Sequence, residues 1–360
     1  MPFRKKSFKK LAIIKMALAV LLPLLGPELC YSEQKNNDSD FYYAHGKAAL
    51  MPVKNQMPLY VFYLNMLPDT SHCIRQGKFS TDLHYQVSNT VLDKVTTGTD
   101  EYIIQIDNEV YRVSNWLKYG ITDNLEASIE ISYIGLSKGY LDGFIENCEE
   151  TLGLTTPGAR ENSAHNSYKY EIRYKGEYLV RKNSPASGIG DTSIYLKYNF
   201  LQEEPAKWYL PGMSIRCALK FPTADKDDLL GSGEYDFGSG LLLDKHLTEK
   251  LALFGNTNII FIKKPSFFKK WSMENYIFSW MAALEYRFTE KFSATVQHIG
   301  NTTPYPSSGT DPLDNLACDV GLGLNYRFNK KLTGTISCFE NTNTDSSPDL
   351  SFQTGIKYDF

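Results

Sequence analysis

The stretch LACDVGLGLNYRF, residues 316–328, decides the fold. Read at alternate positions it separates into two faces. Leu316, Cys318, Val320, Leu322, Leu324, Tyr326 and Phe328 are apolar; Ala317, Asp319, Gly321, Gly323, Asn325 and Arg327 are small or polar. Successive strand residues point to opposite sides of a sheet, so the pattern is a strand with one apolar and one polar surface. At about thirteen residues it exceeds the five or six usual in soluble sheets and suits a tilted crossing of a bilayer. Its apolar face ends in Tyr326 and Phe328, where an interfacial aromatic girdle would lie.

The same reading extends outward in both directions. Phe79, Thr81, Leu83, Tyr85 and Val87 alternate with Ser80, Asp82, His84, Gln86 and Ser88. Ile194, Leu196, Tyr198 and Phe200 alternate with Ser193, Tyr195, Lys197 and Asn199, and Tyr286 and Phe288 end another apolar face. Four short turns share one recipe: Tyr119–Leu125, His246–Leu251, Phe288–Phe292 and Phe328–Leu332 each place Thr or Asn and charged residues before a new apolar face. Between them lie long polar connections at 90–108, 136–186, 222–234, 263–276, 300–315 and 341–350. Strands are therefore predicted at 79–89, 109–119, 124–135, 189–201, 210–221, 235–246, 251–262, 276–288, 291–299, 316–328, 331–340 and 351–360. Together they predict an all-β fold, a transmembrane antiparallel up-and-down β-barrel of about 12 strands, within a range of about 10 to 14. In the longest loop Leu141, Phe144, Ile145, Cys148 and Leu152 have the spacing of a short amphipathic helix within residues 139–153.

The flanks complete three segments. Residues 1–32 read as a signal peptide: Arg4, Lys5, Lys6, Lys9 and Lys10 precede a short apolar run from Leu11 to Leu25 and a Cys30-Tyr31-Ser32 cleavage site. A lipoprotein would need a small residue before Cys30, where Glu28 and Leu29 stand. Residues 33–78 read as a periplasmic N-terminal segment or plug, and 79–360 as an outer-membrane β-barrel. Beyond the signal no apolar run is long enough for a membrane helix, and mean hydropathy is −0.33. The chain nevertheless carries 24 Tyr and 20 Phe, the excess a barrel needs. A net charge of −3 argues against nucleic-acid binding. Five cysteines follow the signal, with no CxxC or His/Cys ligand spacing, so no metal and no cofactor is expected. Export permits a Cys73–Cys148 bridge.

The chain ends Ile356-Lys-Tyr358-Asp-Phe360. A terminal Phe with Tyr two back and Ile four back resembles the assembly signal of Gram-negative outer-membrane barrels. That resemblance implies the barrel-assembly machinery and periplasmic chaperones as transient partners, with membrane lipids and lipopolysaccharide around the mature protein in the cell outer membrane. Asn55-Gln56-Met57-Pro58-Leu59, the Leu141–Leu154 region with Arg160, and Ser187-Gly188-Ile189-Gly190-Asp191 resemble an uncharacterised bacterial family known only as a domain of unknown function. The last motif also resembles strand openings in aromatic-compound channels. The family implies the barrel and brings no activity.

By alternation the lumen is lined by Asp82, His84, Glu126, Glu130, Asp191, Lys197, Arg216, Lys220, Glu285, Arg287, Asp319 and Arg327, joined by Arg112 and Lys118. Signs are mixed, so strong selectivity for one ion charge is not indicated. The first functional reading is a porin-like passive channel or binding barrel for a small solute. The alternative is a closed structural or surface-interaction barrel whose charges pair across the interior. A lipid-modifying enzyme is the third. Gln297-His298-Ile299-Gly300-Asn301 sets a histidine on the lipid face, but Gly300 stands where a nucleophilic serine is required, so no catalytic residue is assigned.

Overall fold

The computed structural model describes residues 50–95, 102–141, 143, 167–204, 209–268, 273–305, 309–342 and 346–360. The signal segment and nearly all of the 139–153 helix lie outside these residues. The chain forms β1 (Phe79–Val95), β2 (Tyr102–Thr122), β3 (Leu125–Ser137), β4 (Lys169–Tyr174), β5 (Glu177–Lys182), β6 (Ala186–Ile189), β7 (Thr192–Leu201), β8 (Gly212–Phe221), β9 (Asp236–His246), β10 (Leu251–Phe261), β11 (Tyr276–Arg287), β12 (Phe292–Asn301), β13 (Ala317–Arg327), β14 (Leu332–Asn341) and β15 (Leu350–Asp359). Neighbours pair antiparallel in chain order, with β6 and β7 sharing one position beside β3. The seam closes from Ser80↔Asp359 to Asn89↔Leu350. The result is the closed antiparallel barrel of twelve positions that the alternation predicts.

Outward residues such as Leu83, Leu117, Ile131, Leu196, Ile215, Leu241, Ile259 and Ile336 are exposed on the wall, the surface a bilayer covers. Ring pairs Tyr286–Phe288, Tyr326–Phe328 and Tyr358–Phe360 stand edge-to-face at 5.0, 5.1 and 4.9 Å along the short-turn end. Val87 shares the outward face but is buried, because Leu141 of the following loop packs over it.

The long-loop end departs from the sequence reading. β1 and β2 continue beyond 89 and begin before 109, and the 136–186 connection contains the β4–β5 hairpin, which pairs with β2 from Tyr102↔Tyr174 to Asp107↔Lys169. Lys175 and Gly176 turn the hairpin with φ of 49° and 81°, the left-handed pair a two-residue turn needs. In the SGIGD motif the strand breaks between β6 and β7. Gly190 donates its N–H to the Ser132 carbonyl at 2.8 Å, and a Cβ there would collide with the Ser132 hydroxyl. The glycine is thus a bend against the wall.

Residues 50–78 run through the interior. Met51 meets Gln297 in mid-wall. Asn55 reaches Asn301 at the long-loop end, and the chain turns at Tyr60–Tyr63, where Tyr60 and Tyr63 donate N–H groups to Met57 and Tyr60. The descending limb passes Asp236, Asn256 and Asp244 and reaches Gly120 on the short-turn rim before entering β1. A roof closes over the turn. Leu59, Phe62 and Leu64 pack with Ile104, Ile106, Tyr170, Ile172, Phe268 and Tyr305 in one buried cluster, and the Tyr170 and Tyr305 hydroxyls donate to the Pro58 and Leu59 carbonyls.

Burial pushes the phenols of Tyr170 and Tyr305 well above the ordinary tyrosine range. A raised acid pKa favours the neutral form, so its stabilisation is complete below about pH 10 and is lost as pH rises past it. Absorbance titration of the folded protein should show roof tyrosines staying neutral while exposed ones ionise. Ionisation of every tyrosine in one step near pH 10 would mean a wet roof.

Candidate functional site

An extended segment with no ladder leaves each backbone N–H and C=O in need of a partner. Side chains of the polar face supply them. Gln86 accepts the Lys54 N–H at 3.1 Å and donates to the Lys54 carbonyl at 2.8 Å. Gln297 does the same for Met51 at 3.1 and 2.9 Å, and Gln353 donates to the Pro52 carbonyl at 2.9 Å. Asn256 brackets Asp69 in the same two-way fashion at 2.9 and 2.8 Å. Asp236 accepts the Leu64 N–H, and Asp244 the Ser71 N–H and hydroxyl.

Three ionic locks fix the limbs. On the ascending limb, Lys54 meets Glu130 at 2.7 Å, and Tyr195 donates to the same carboxylate at 3.0 Å. On the descending limb, Asp69 accepts Lys118 at 2.7 Å and Lys197 at 2.9 Å. Lys197 also faces Glu126 at 3.2 Å, and Glu126 accepts the Ile74 N–H. Lys118 sits 3.5 Å from the Trp116 ring centroid. Below the roof, Lys220 binds Asp191, Asp236 and the Phe62 carbonyl at 2.7, 3.1 and 2.8 Å. Arg216 adds a clamp on the Leu67 carbonyl at 2.6 Å and on Asn258 at 3.0 Å. All these charges are buried.

Of the residues singled out by alternation, Glu126, Glu130, Asp191, Lys197, Arg216 and Lys220 therefore converge on the internal segment. His84 is buried beside Asp82, 3.8 Å away. Asp319 is buried toward the long-loop end, while Glu285, Arg287 and Arg327 gather with Asp359 toward the short-turn rim. Arg112 donates to Ser132 at 2.9 Å. Ile356 and Phe360 stand exposed on the outward face of the last strand. Lys54 and Asp69 were missed because their segment has no strand period; Asp236 and Asp244 follow from the same alternation within residues 235–246. Cys73 is a free thiol, 3.8 Å from the Lys197 carbonyl toward the short-turn end. Cys148 lies outside the described residues, in a connection that leaves the opposite end.

His298 lies on the outward face and stacks on Trp280 with ring centroids 6.3 Å apart. The Trp280 ring lies over Gly300, filling the space a Cβ would take. The glycine at the nucleophile position is thus a packing requirement. Among the described residues no His/Cys/Asp/Glu group has the geometry to hold a metal ion.

A solved outer-membrane channel from Pseudomonas putida F1 superposes with a TM-score of 0.53 at 14% identity, covering 82% of this chain and 100% of that one. The KdgM porin, solved with disordered oligogalacturonate, gives 0.42 at 8% identity over 78% and 99%, and the NanC porin 0.43 at 9% over 77% and 98%. At these identities the likeness concerns the barrel fold alone. No curated protein matches the sequence. Residues 37–360 match the family described as "Protein of unknown function (DUF3187)".

Lys54→Ala removes the ion-pair partner of buried Glu130 and should cost about 3–5 kcal/mol in chemical unfolding, and the paired Lys54→Met/Glu130→Gln change should recover most of it. Equal costs for the single and paired changes would refute an ionic lock. Gly300→Ser should lower stability by about 1–3 kcal/mol by displacing Trp280, and should give no turnover of labelled phospholipid.

Proposed function

The chain belongs to the DUF3187 family, whose function is unknown, and we propose that it is an outer-membrane channel for a small solute, held shut by its own residues 50–78. The short-turn end faces the periplasm and the roof faces outward. The supporting observation is the chemistry of the plug contacts. Below the roof they are mostly hydrogen bonds and ion pairs to wall side chains, which water and solute can replace one by one. A permanently closed barrel is the second reading, favoured by the apolar roof, which must part before the long-loop end opens. The protein is no catalyst in this reading: Gly300, packed under Trp280, stands where a serine would be required beside the outward His298. Its outward apolar band would contact lipid and lipopolysaccharide, and the strand ending Ile356-Lys-Tyr358-Asp-Phe360 would engage the barrel-assembly machinery after chaperone delivery.

Planar-bilayer recording separates the two readings. Protein beginning at Arg75, with compact gel migration to verify the barrel, should conduct in steady steps, while the intact mature chain should open rarely. Absence of steps from both would rule out the channel and leave the closed barrel.

A further inference from the structure

The described residues enclose a cavity of about 520 Å³ at the short-turn end, within the size range of small-molecule sites. It reaches from rim residues Lys78, Lys331 and Phe360 inward to Asp69, Lys118 and Lys197. Its inner end is therefore the descending-limb lock. Seven lining residues are Lys or Arg and five are Asp or Glu. One of those acids is Asp69, the plug's own carboxylate, gripped by two ammonium groups at 2.7 and 2.9 Å. Leu50, Pro52, Pro68 and Trp116 add an apolar lining.

A site built to hold a carboxylate between two lysines, with open volume and apolar surface beside it, suits a second carboxylate on an apolar body. We propose that a small organic carboxylate entering this cavity replaces Asp69 at Lys118 and Lys197, and thereby releases the descending limb of the plug. The exchange keeps an anion beside each buried lysine, so neither is left uncompensated. What still holds the limb is a set of hydrogen bonds with no counter-charge on the plug: the Asn256 bracket on Asp69, the Ser71 amide and hydroxyl on Asp244, the Arg216 clamp on the Leu67 carbonyl and the Ile74 amide on Glu126. The inference rests on the channel reading and names the solute class and the release step.

Benzoate is the probe, with benzamide as its neutral isostere and inorganic phosphate as the other anion. Calorimetric titration of the refolded mature chain in detergent should show benzoate binding, with benzamide silent and phosphate at least tenfold weaker. Asp69→Asn removes the internal competitor and should tighten benzoate at least tenfold. Lys197→Met should weaken it at least tenfold; if that variant fails to fold, Lys118→Met stands in. A structural role for Asp69 alone would not make ligand affinity rise on its removal. Unchanged benzoate affinity in Asp69→Asn, or equal binding of benzamide, overturns the proposal, and phosphate binding as tightly as benzoate overturns the carboxylate class. Plug-dependent conductance without benzoate binding would sink this inference and spare the channel. Benzoate binding without conductance in either protein would sink the channel and the release step together.

Discussion

The arrangement inside the barrel follows from an extended segment that, until it bridges Gly120 at the rim, pairs with no strand. In a ladder a neighbouring backbone satisfies each N–H and C=O; here Gln86, Gln297, Gln353 and Asn256 do so from the wall. Each buried polar group left unmade costs about 1–3 kcal/mol, so the amides must sit where the plug's backbone passes. The polar face of this barrel is thus shaped by a chain it holds, and only partly by water. Bidirectional amides fit the task best, since one side chain both donates and accepts at a single residue, as Gln86 does at Lys54.

The ionic locks and the roof divide the work. A buried pair adds little net stability, because desolvating both charges offsets much of their attraction. It is strict about position, however: Lys54 reaches Glu130 and Asp69 reaches Lys118 and Lys197 only when each limb is in register. The apolar cluster under the loops is tolerant of position but removes large surfaces from water. One set of contacts specifies the plug's path and the other holds it down.

Legibility in the sequence followed from which periodicity survived. Where lipid lies on one side and a polar interior on the other, period two persists, so the wall strands and both faces of Glu126–Tyr133 could be read directly. Above the barrel the rule is obscured. Tyr170, Ile172 and Tyr174 do alternate, but they sit in a connection of Ser, Asn and Gly that reads as loop; Tyr170 and Ile172 are buried and Tyr174 half-buried against β2 and the loops around it. The plug has no period because it meets the sheet only at its end, where Gln76 bridges Gly120. Lys197 and Glu130 were therefore visible as interior charges, while their partners Asp69 and Lys54 were not.

The turn at Tyr60–Tyr63 belongs to the plug and to the roof at once, since Leu59 and Phe62 pack against Tyr170, Ile172 and Phe268. The two closures therefore form one cooperative unit. Withdrawing the plug hollows the roof, and parting the loops exposes the plug's apex to water. A change that parts the loops therefore acts on the same continuous segment that carries Asp69 toward the other end. The two ends of the barrel are joined through one segment, packed into an apolar cluster at its turn and ion-paired along its limbs.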